Sequence, residues 1–288
     1  IFAGLAVEIK LLPFNAWVKG ILENSDELVG PLIGSIYSGT MLIVFGRLFS
    51  DVLVIGHKAS IVLSIFAVIT IIAGEVLAFN AYKVRKILLY SSIAQSGLAV
   101  VLILNSYTAV ALLVIFGNTI AKYILFLLAG FMSSGMGTDK IDEISGIFTK
   151  KILNGISFTI AGLSIAGLPL FFGFFIKLNI LYNLFMAHDF ILPGIILLTS
   201  LIEGSYIIRM LVILWNPGKE GENSSVNAVT PLNYPIKRFV CVTSLIIGLG
   251  LVALGIVPDY AISVTKQAGK NLSGNKLLYT ITAKGVSK

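Results

Sequence analysis

The sequence predicts an all-α fold, a polytopic membrane helix bundle of about eight spans, two of them broken helices. Three observations carry that expectation. Of 288 residues, 57% are hydrophobic and 12% charged, about half the charged share of a water-soluble domain, and the mean hydropathy is +0.96. Apolar runs close to the roughly 20 residues needed to cross a bilayer recur along the chain. The net charge of +7 resides mainly in short connections between those runs, which marks membrane topology and not a phosphate-binding face. Nucleic acid is therefore not an expected partner; the lipid bilayer is.

The runs in order are 1–19, 31–50, 59–79, 86–105, 107–134, 152–186, 190–215 and 237–257. Gly30-Pro31 opens the second with proline in the first turn, Asn105-Ser106 separates the fourth from the fifth, and Asn216-Pro217-Gly218 ends the seventh. Residues 217–236 read as a polar loop, 237–258 as a closing helix and 259–288 as a polar tail. Ile1 lies inside an apolar run with neither Met nor a charged leader before it, so a preceding segment is expected.

Alternate connections carry Lys19, then Lys83, Arg85 and Lys86, then Lys140, Lys150 and Lys151, then Lys219, Lys237 and Arg238, whereas the opposite set carries only Arg47 and Lys58. The first set should face the cytoplasm, which gives a multi-pass protein of the cell (cytoplasmic or inner) membrane. The tail lysines then fall on the far side, against the rule.

Two runs are interrupted. The first holds Pro13 just after Lys10, and the sixth holds Gly162, Gly167, Pro169 and Gly173 before Lys177. Proline removes a backbone donor and clashes with the preceding turn, so Pro13 and Pro169 should each kink or unwind a helix. Broken helices at corresponding places in two halves are a pointer to an ion site in a transporter, with a simple packing kink as the alternative.

Glu8, Lys10, Glu75, Lys122, Lys177 and Glu203 stand within apolar runs. A Lys or Asp at a helix centre costs roughly 2.5–3.5 kcal/mol on insertion scales, so each requires a partner, water or a use. A buried amine suits proton movement: desolvation disfavours its charged form and a nearby carboxylate restores it, so a change in one neighbour loads or unloads the proton. Lys122 is about fifteen residues from either end of its run, too far to snorkel, with Asn118 one turn earlier on the same face. Lys177 and Glu203 are also mid-run, the latter with Tyr206 on its face, and the break at Pro13 gives Lys10 a cavity to face. Glu8 is two residues from Lys10 and points elsewhere, so a direct pair is not expected. Glu75 is close enough to the Lys83 connection that interfacial and functional roles stay open. Ser91, Ser92, Gln95 and Ser96 read more readily as interhelical hydrogen-bonding groups than as a wet path.

Cys241 is the chain's single cysteine, and His57 and His188 are far apart in sequence. No disulfide framework, thiolate cluster or His-based metal site is expected, and no phosphate loop or catalytic triad is present. No cofactor is expected on this chain, and redox centres would belong to partners.

Four segments carry a resemblance. Lys10-Leu11-Leu12-Pro13-Phe14-Asn15-Ala16-Trp17 is similar to K-x-x-x-P-F-H-x-W-L, with the gap one shorter and Asn15 where His is usual. The stretch from Lys83 to Gly97 is similar to D-I-K-R-L-L-A-Y-S-S-I-A-Q-x-G, Lys122 to Gly130 to K-A-L-L-F-L-x-A-G, and Leu163 to Lys177 to S-L-A-G-L-P-P-x-x-G-F-x-x-K. Together they resemble the antiporter-like membrane subunits of respiratory complex I, of Mrp-type cation/proton antiporters and of energy-converting membrane-bound hydrogenases. Glu203 before Tyr206 and Arg209 is closer to the hydrogenase-type pattern.

The resemblance implies two inverted five-helix repeats, each with one broken helix. Residues 1–50 would be the last two helices of an incomplete first repeat and 51–216 the whole second repeat. It implies that Lys10 is the first-repeat pumping lysine, Lys122 the central-axis lysine of the second, and Lys177 the terminal lysine that passes protons outward, with Glu203 beside them. One departure is the span around Ser35-Ile36-Tyr37-Ser38-Gly39, where relatives carry a second Lys or His and this chain offers Tyr37. The implied function is translocation of H⁺ or Na⁺ within a complex of other membrane subunits and a peripheral redox arm, without a redox site of this chain's own. A Mrp-type antiporter subunit and a non-pumping structural subunit are the alternatives.

Overall fold

The computed structural model describes residues 2–49, 57–216 and 234–270. Helices α1 (Phe2–Glu8) and α2 (Ala16–Asn24) flank the first break, and α3 (Val29–Arg47) follows. Next come α4 (His57–Phe79), α5 (Val84–Leu104) and α6 (Thr108–Met136). The second break separates α7 (Ile152–Ala166) from α8 (Phe172–Met186), and α9 (Ile191–Trp215) and α10 (Tyr234–Ile256) complete the bundle. Among the described residues six helices are long and apolar enough to cross a membrane, and α7 and α8 are shorter apolar helices. Six of the eight apolar runs thus appear as single long helices, and the first and sixth are each divided into two short ones, so the expected eight spans reduce to six by length and composition. Of the segment 217–236 read as a polar loop, 217–233 lie outside the described residues, as do 271–288, and 234–236 begin α10. Residues 258–270 form a further helix, α11, although 259–270 read from composition as the start of a polar tail.

Both breaks are built by the same device. After α1, the Leu11 amide donates to the Ala6 carbonyl (3.0 Å) and the Lys10 amide to Val7 (3.2 Å), with Lys10 left-handed at φ 62°. After α7, the Leu168 amide donates to Leu163 and the Gly167 amide to Ser164 (both 3.1 Å), with Gly167 at φ 80°. Each is a Schellman cap, which turns the chain out of the helix while satisfying carbonyls that would otherwise be orphaned in hydrocarbon. The left-handed position favours glycine. At the first break a lysine occupies it.

One end of the bundle gathers the positive charge. Lys83 and Lys140 form an isolated bridge, Val84 donates to Asp139 and Ile141 to Tyr82, and Lys83 pairs with Asp139 at 3.2 Å. Arg85 donates to the carbonyls of Ser25 and Gly130, which ties the loop after α2 to α6. Arg209 on α9 donates to the carbonyls of Phe79 and Ala81 and lies over the Phe79 ring. These bonds fix the ends of α4, α5, α6 and α9 at one level.

The interior is set by close approach. Helices α4 and α5 share the broadest contact, because Gly97 on α5 lets Ala67 come near: a Cβ at Gly97 would lie 2.7 Å from the Ala67 carbonyl oxygen. At the second break the constraint is tighter, since a Cβ at Gly173 would lie 1.7 Å from the Ser164 carbonyl oxygen. Gly173→Ala should therefore lower stability by at least the ~1–3 kcal/mol of an overpacked core, whereas Gly194→Ala, with nothing within 4 Å, should be neutral. Thermal unfolding of the two variants in detergent checks the pair; equal midpoints would show that the break relaxes freely.

Candidate functional site

The two breaks present lysines in complementary ways. Lys10 occupies the cap of α1 itself and is fully buried. Its Nζ donates to the Gly34 carbonyl (3.4 Å) and to Ser92 Oγ (3.1 Å), and Ser92 Oγ in turn donates to Gly34 (3.1 Å). Gly34 lies in Leu32–Tyr37, a π-helical stretch of α3, a widened turn of the kind often found at functional sites. Pro31 stands just before it, and the Phe126 ring of α6 packs where a Gly34 side chain would be. At the second break the lysine comes from the following half-helix. Lys177 Nζ on α8 reaches back to the Ala166 carbonyl at the end of α7 (3.0 Å), where the helix dipole favours a cation, and pairs with Glu203 Oε2 on α9 (3.0 Å). Gly167 leaves room for that reach, since a Cβ there would meet the Lys177 chain at 2.7 Å.

Between these two amines stand Lys122 and a pair of amides. Lys122, 3% exposed, borders a cavity of about 30 Å³ lined also by Ser92, Ser96, Gln95 and Asn118, and its Nζ has no protein hydrogen-bond partner. A second cavity of about 30 Å³ is lined by Glu75, Gln95, Asn118, Lys177 and Glu203. Each has room for roughly two water molecules. Gln95 and Asn118 belong to both walls. Asn118 Nδ2 donates to Gln95 Oε1 (2.5 Å), and Gln95 Nε2 donates to Glu203 Oε1 (2.7 Å).

The predicted candidates divide as follows. Asn118, Glu203 and Lys177 are joined through Gln95, Lys122 borders a cavity that Gln95 and Asn118 also line, and Lys10 bonds Ser92 in the wall of that cavity. Glu75, for which an interfacial position was open, is instead buried at 3% exposure in the second cavity, beside Tyr206 and within electrostatic reach of Lys122, Lys177 and Glu203. Glu75 Oε2, Ser91 Oγ and the Tyr206 hydroxyl are buried without hydrogen-bond partners. Glu8 does not pair with Lys10; its carboxylate accepts from the Tyr37 hydroxyl, so these two satisfy each other at the edge of the line. Gln95 and Ser92 were read as interhelical hydrogen-bonding groups. They do bond between helices, and each meets one charged group, Ser92 with Lys10 and Gln95 with Glu203. A Gln and a Ser on a helix facing two lysine-bearing breaks was the available signal, and spacing alone does not show which helices face each other.

A family model described as NADH:quinone oxidoreductase/Mrp antiporter, transmembrane, matches residues 1–203. The chain belongs to this family. It is 27% identical over 255 residues to the chloroplast NAD(P)H-quinone oxidoreductase subunit 2 of Chaetosphaeridium globosum, covering 86% of this chain and 50% of that protein. It is also 27% identical over 281 residues to NADH-quinone oxidoreductase subunit N 1 of Solibacter usitatus (strain Ellin6076), covering 94% and 55%. Among solved structures, a chain of the membrane-bound sulfane sulfur reductase, an archaeal respiratory membrane complex, superposes with a TM-score of 0.81 at 23% identity, over 94% of this chain and 54% of that one. The chain spans about half the length of the curated relatives it matches.

If the Asn118–Gln95–Glu203 series acts as one unit, its members are energetically coupled. Gln95→Leu should cost about 1–3 kcal/mol, because it leaves Glu203 and Asn118 each short of a buried partner. The Gln95→Leu/Asn118→Leu double variant should cost less than the sum of the singles. Unfolding midpoints of the four proteins measure the coupling, and strict additivity would dissolve the unit.

Proposed function

We propose that this chain carries protons through the membrane as an antiporter-like subunit of a redox-driven complex, of the NADH:quinone oxidoreductase or membrane-bound hydrogenase type. One observation supports this above others: Lys10, Ser92, Lys122, the Gln95–Asn118 pair, Glu203 and Lys177 follow one another through the interior, joined by hydrogen bonds and two water-sized cavities. Three of the stations are amines, which bind protons and repel Na⁺. Membership of the family and the fold shared with respiratory membrane complexes support the same role.

The chemistry of the stations sets the order of events. The Ser92 hydroxyl both donates and accepts, so it can pass a proton between Lys10 and water beside Lys122. The amides of Gln95 and Asn118 take up no proton near neutral pH, so transfer between the cavities waits for these side chains to turn and for water to join the two. Lys177 is held by Glu203 and the Ala166 carbonyl. Withdrawing Glu203 breaks the ion pair that holds Lys177 beside Ala166 and frees its amine to turn toward another partner, and the return of Glu203 restores the pair. Redox chemistry in a peripheral arm, transmitted through neighbouring membrane subunits, supplies the movement; this chain breaks no bonds.

Proton pumping by the assembled complex in inverted vesicles, with electron transfer monitored in parallel, tests the proposal. Lys122→Ala and Lys177→Ala should slow pumping by about 10²-fold, the scale of a lost proton-transferring group, with Lys58→Ala as an exposed control. Undiminished pumping in both would leave a structural subunit, and cation/proton exchange independent of electron transfer would assign the chain to the Mrp type.

A further inference from the structure

A third cavity, of about 420 Å³, lies where α7 begins, between α6 and α10, and plays no part in the translocation line. Its apolar walls include Phe131 and Met132 from α6 and Val240 from α10; its polar residues are Lys150, Lys151 and Asn154. The volume falls within the range of small-molecule sites. The lysines stand just before the first turn of α7, at the end of the bundle that also holds Lys83, Arg85, Lys86 and Lys140; Ile152 and Leu153 follow them directly, and Phe131, Met132 and Val240 face them from α6 and α10.

Each part of the groove asks for a different chemical group. Two adjacent lysines at the start of α7, where no side chain caps the helix, attract an anion at the membrane surface. The apolar walls suit hydrocarbon. Asn154 adds a buried Oδ1 without a hydrogen-bond partner, an acceptor that calls for a hydroxyl donor beside the anion. Phosphate, hydroxyl and acyl chain together describe an anionic phospholipid with a hydroxylated headgroup. We propose that this groove binds such a lipid, of the phosphatidylglycerol type, with the phosphate on Lys150 and Lys151, a headgroup hydroxyl on Asn154 and an acyl chain against Phe131, Met132 and Val240.

The site does not depend on the translocation reading, and the chain carries its own reporter. Cys241, the single cysteine, lines the groove and is partly exposed. The full chain in nanodiscs of phosphatidylcholine, with or without phosphatidylglycerol, is treated with a neutral maleimide. Phosphatidylglycerol should slow modification of Cys241 about tenfold or more, and Lys150→Gln/Lys151→Gln should abolish the protection in a chain that still unfolds cooperatively. In native mass spectrometry the wild-type chain should retain one phosphatidylglycerol in preference to phosphatidylcholine, and the double variant should bind it about thirtyfold more weakly, the worth of two lysines at a lipid surface. Equal labelling rates with and without phosphatidylglycerol would overturn the proposal. So would protection that survives in the double variant, which reports surface charge alone, or a groove occupied by a copurifying protein in place of lipid.

Discussion

A lysine amine buried among apolar helices calls for oxygen, and for Lys10 and Lys177 much of that oxygen comes from helices that stop or widen within the bundle. A continuous α-helix has no carbonyl to spare, because each is used four residues on. The end of α7 exposes Ala166 to Lys177, and the π-helical turn of α3 offers Gly34 to Lys10. Proline and glycine near each site create the irregularity, and the capping bonds limit its cost to the groups that the lysines then use.

The same constraint explains why the polar interior is narrow. A buried polar group far from others is costly, so the groups accumulate where three or four helices already converge. Helices α5 and α6 hold that position, since Ser92, Gln95, Asn118 and Lys122 all project from them toward the two breaks. Gln95 is the junction: its oxygen accepts from Asn118 and its nitrogen donates to Glu203, so it cannot serve either side without affecting the other. A residue of that kind holds the two cavities apart while belonging to both.

Much of this was legible in the amino-acid order. Pro13 and the Gly167-to-Gly173 stretch announced the breaks, and lysines far from any helix end announced buried charge, because both signals depend only on local sterics and solvation. Glu75 was harder. Its distance from the end of α4 left both an interfacial and an interior position open, and only the packing of α4 against α5 and α9 encloses it. Residues 259–270 looked like tail because they are polar, yet the chain there is helical and returns Gly269 against Ala109 at the start of α6.

What the sequence alone determined is the environment and the parts: a chain too apolar for water, the placement of its apolar helices, the two fractures and the amines beside them. Composition and nearest neighbours along the chain are enough for those. What tertiary structure decided is who meets whom. Lys10 finds Ser92 across 82 residues and Gln95 finds Glu203 across 108. Helical periodicity says which face a side chain occupies, but not which other helix that face will touch.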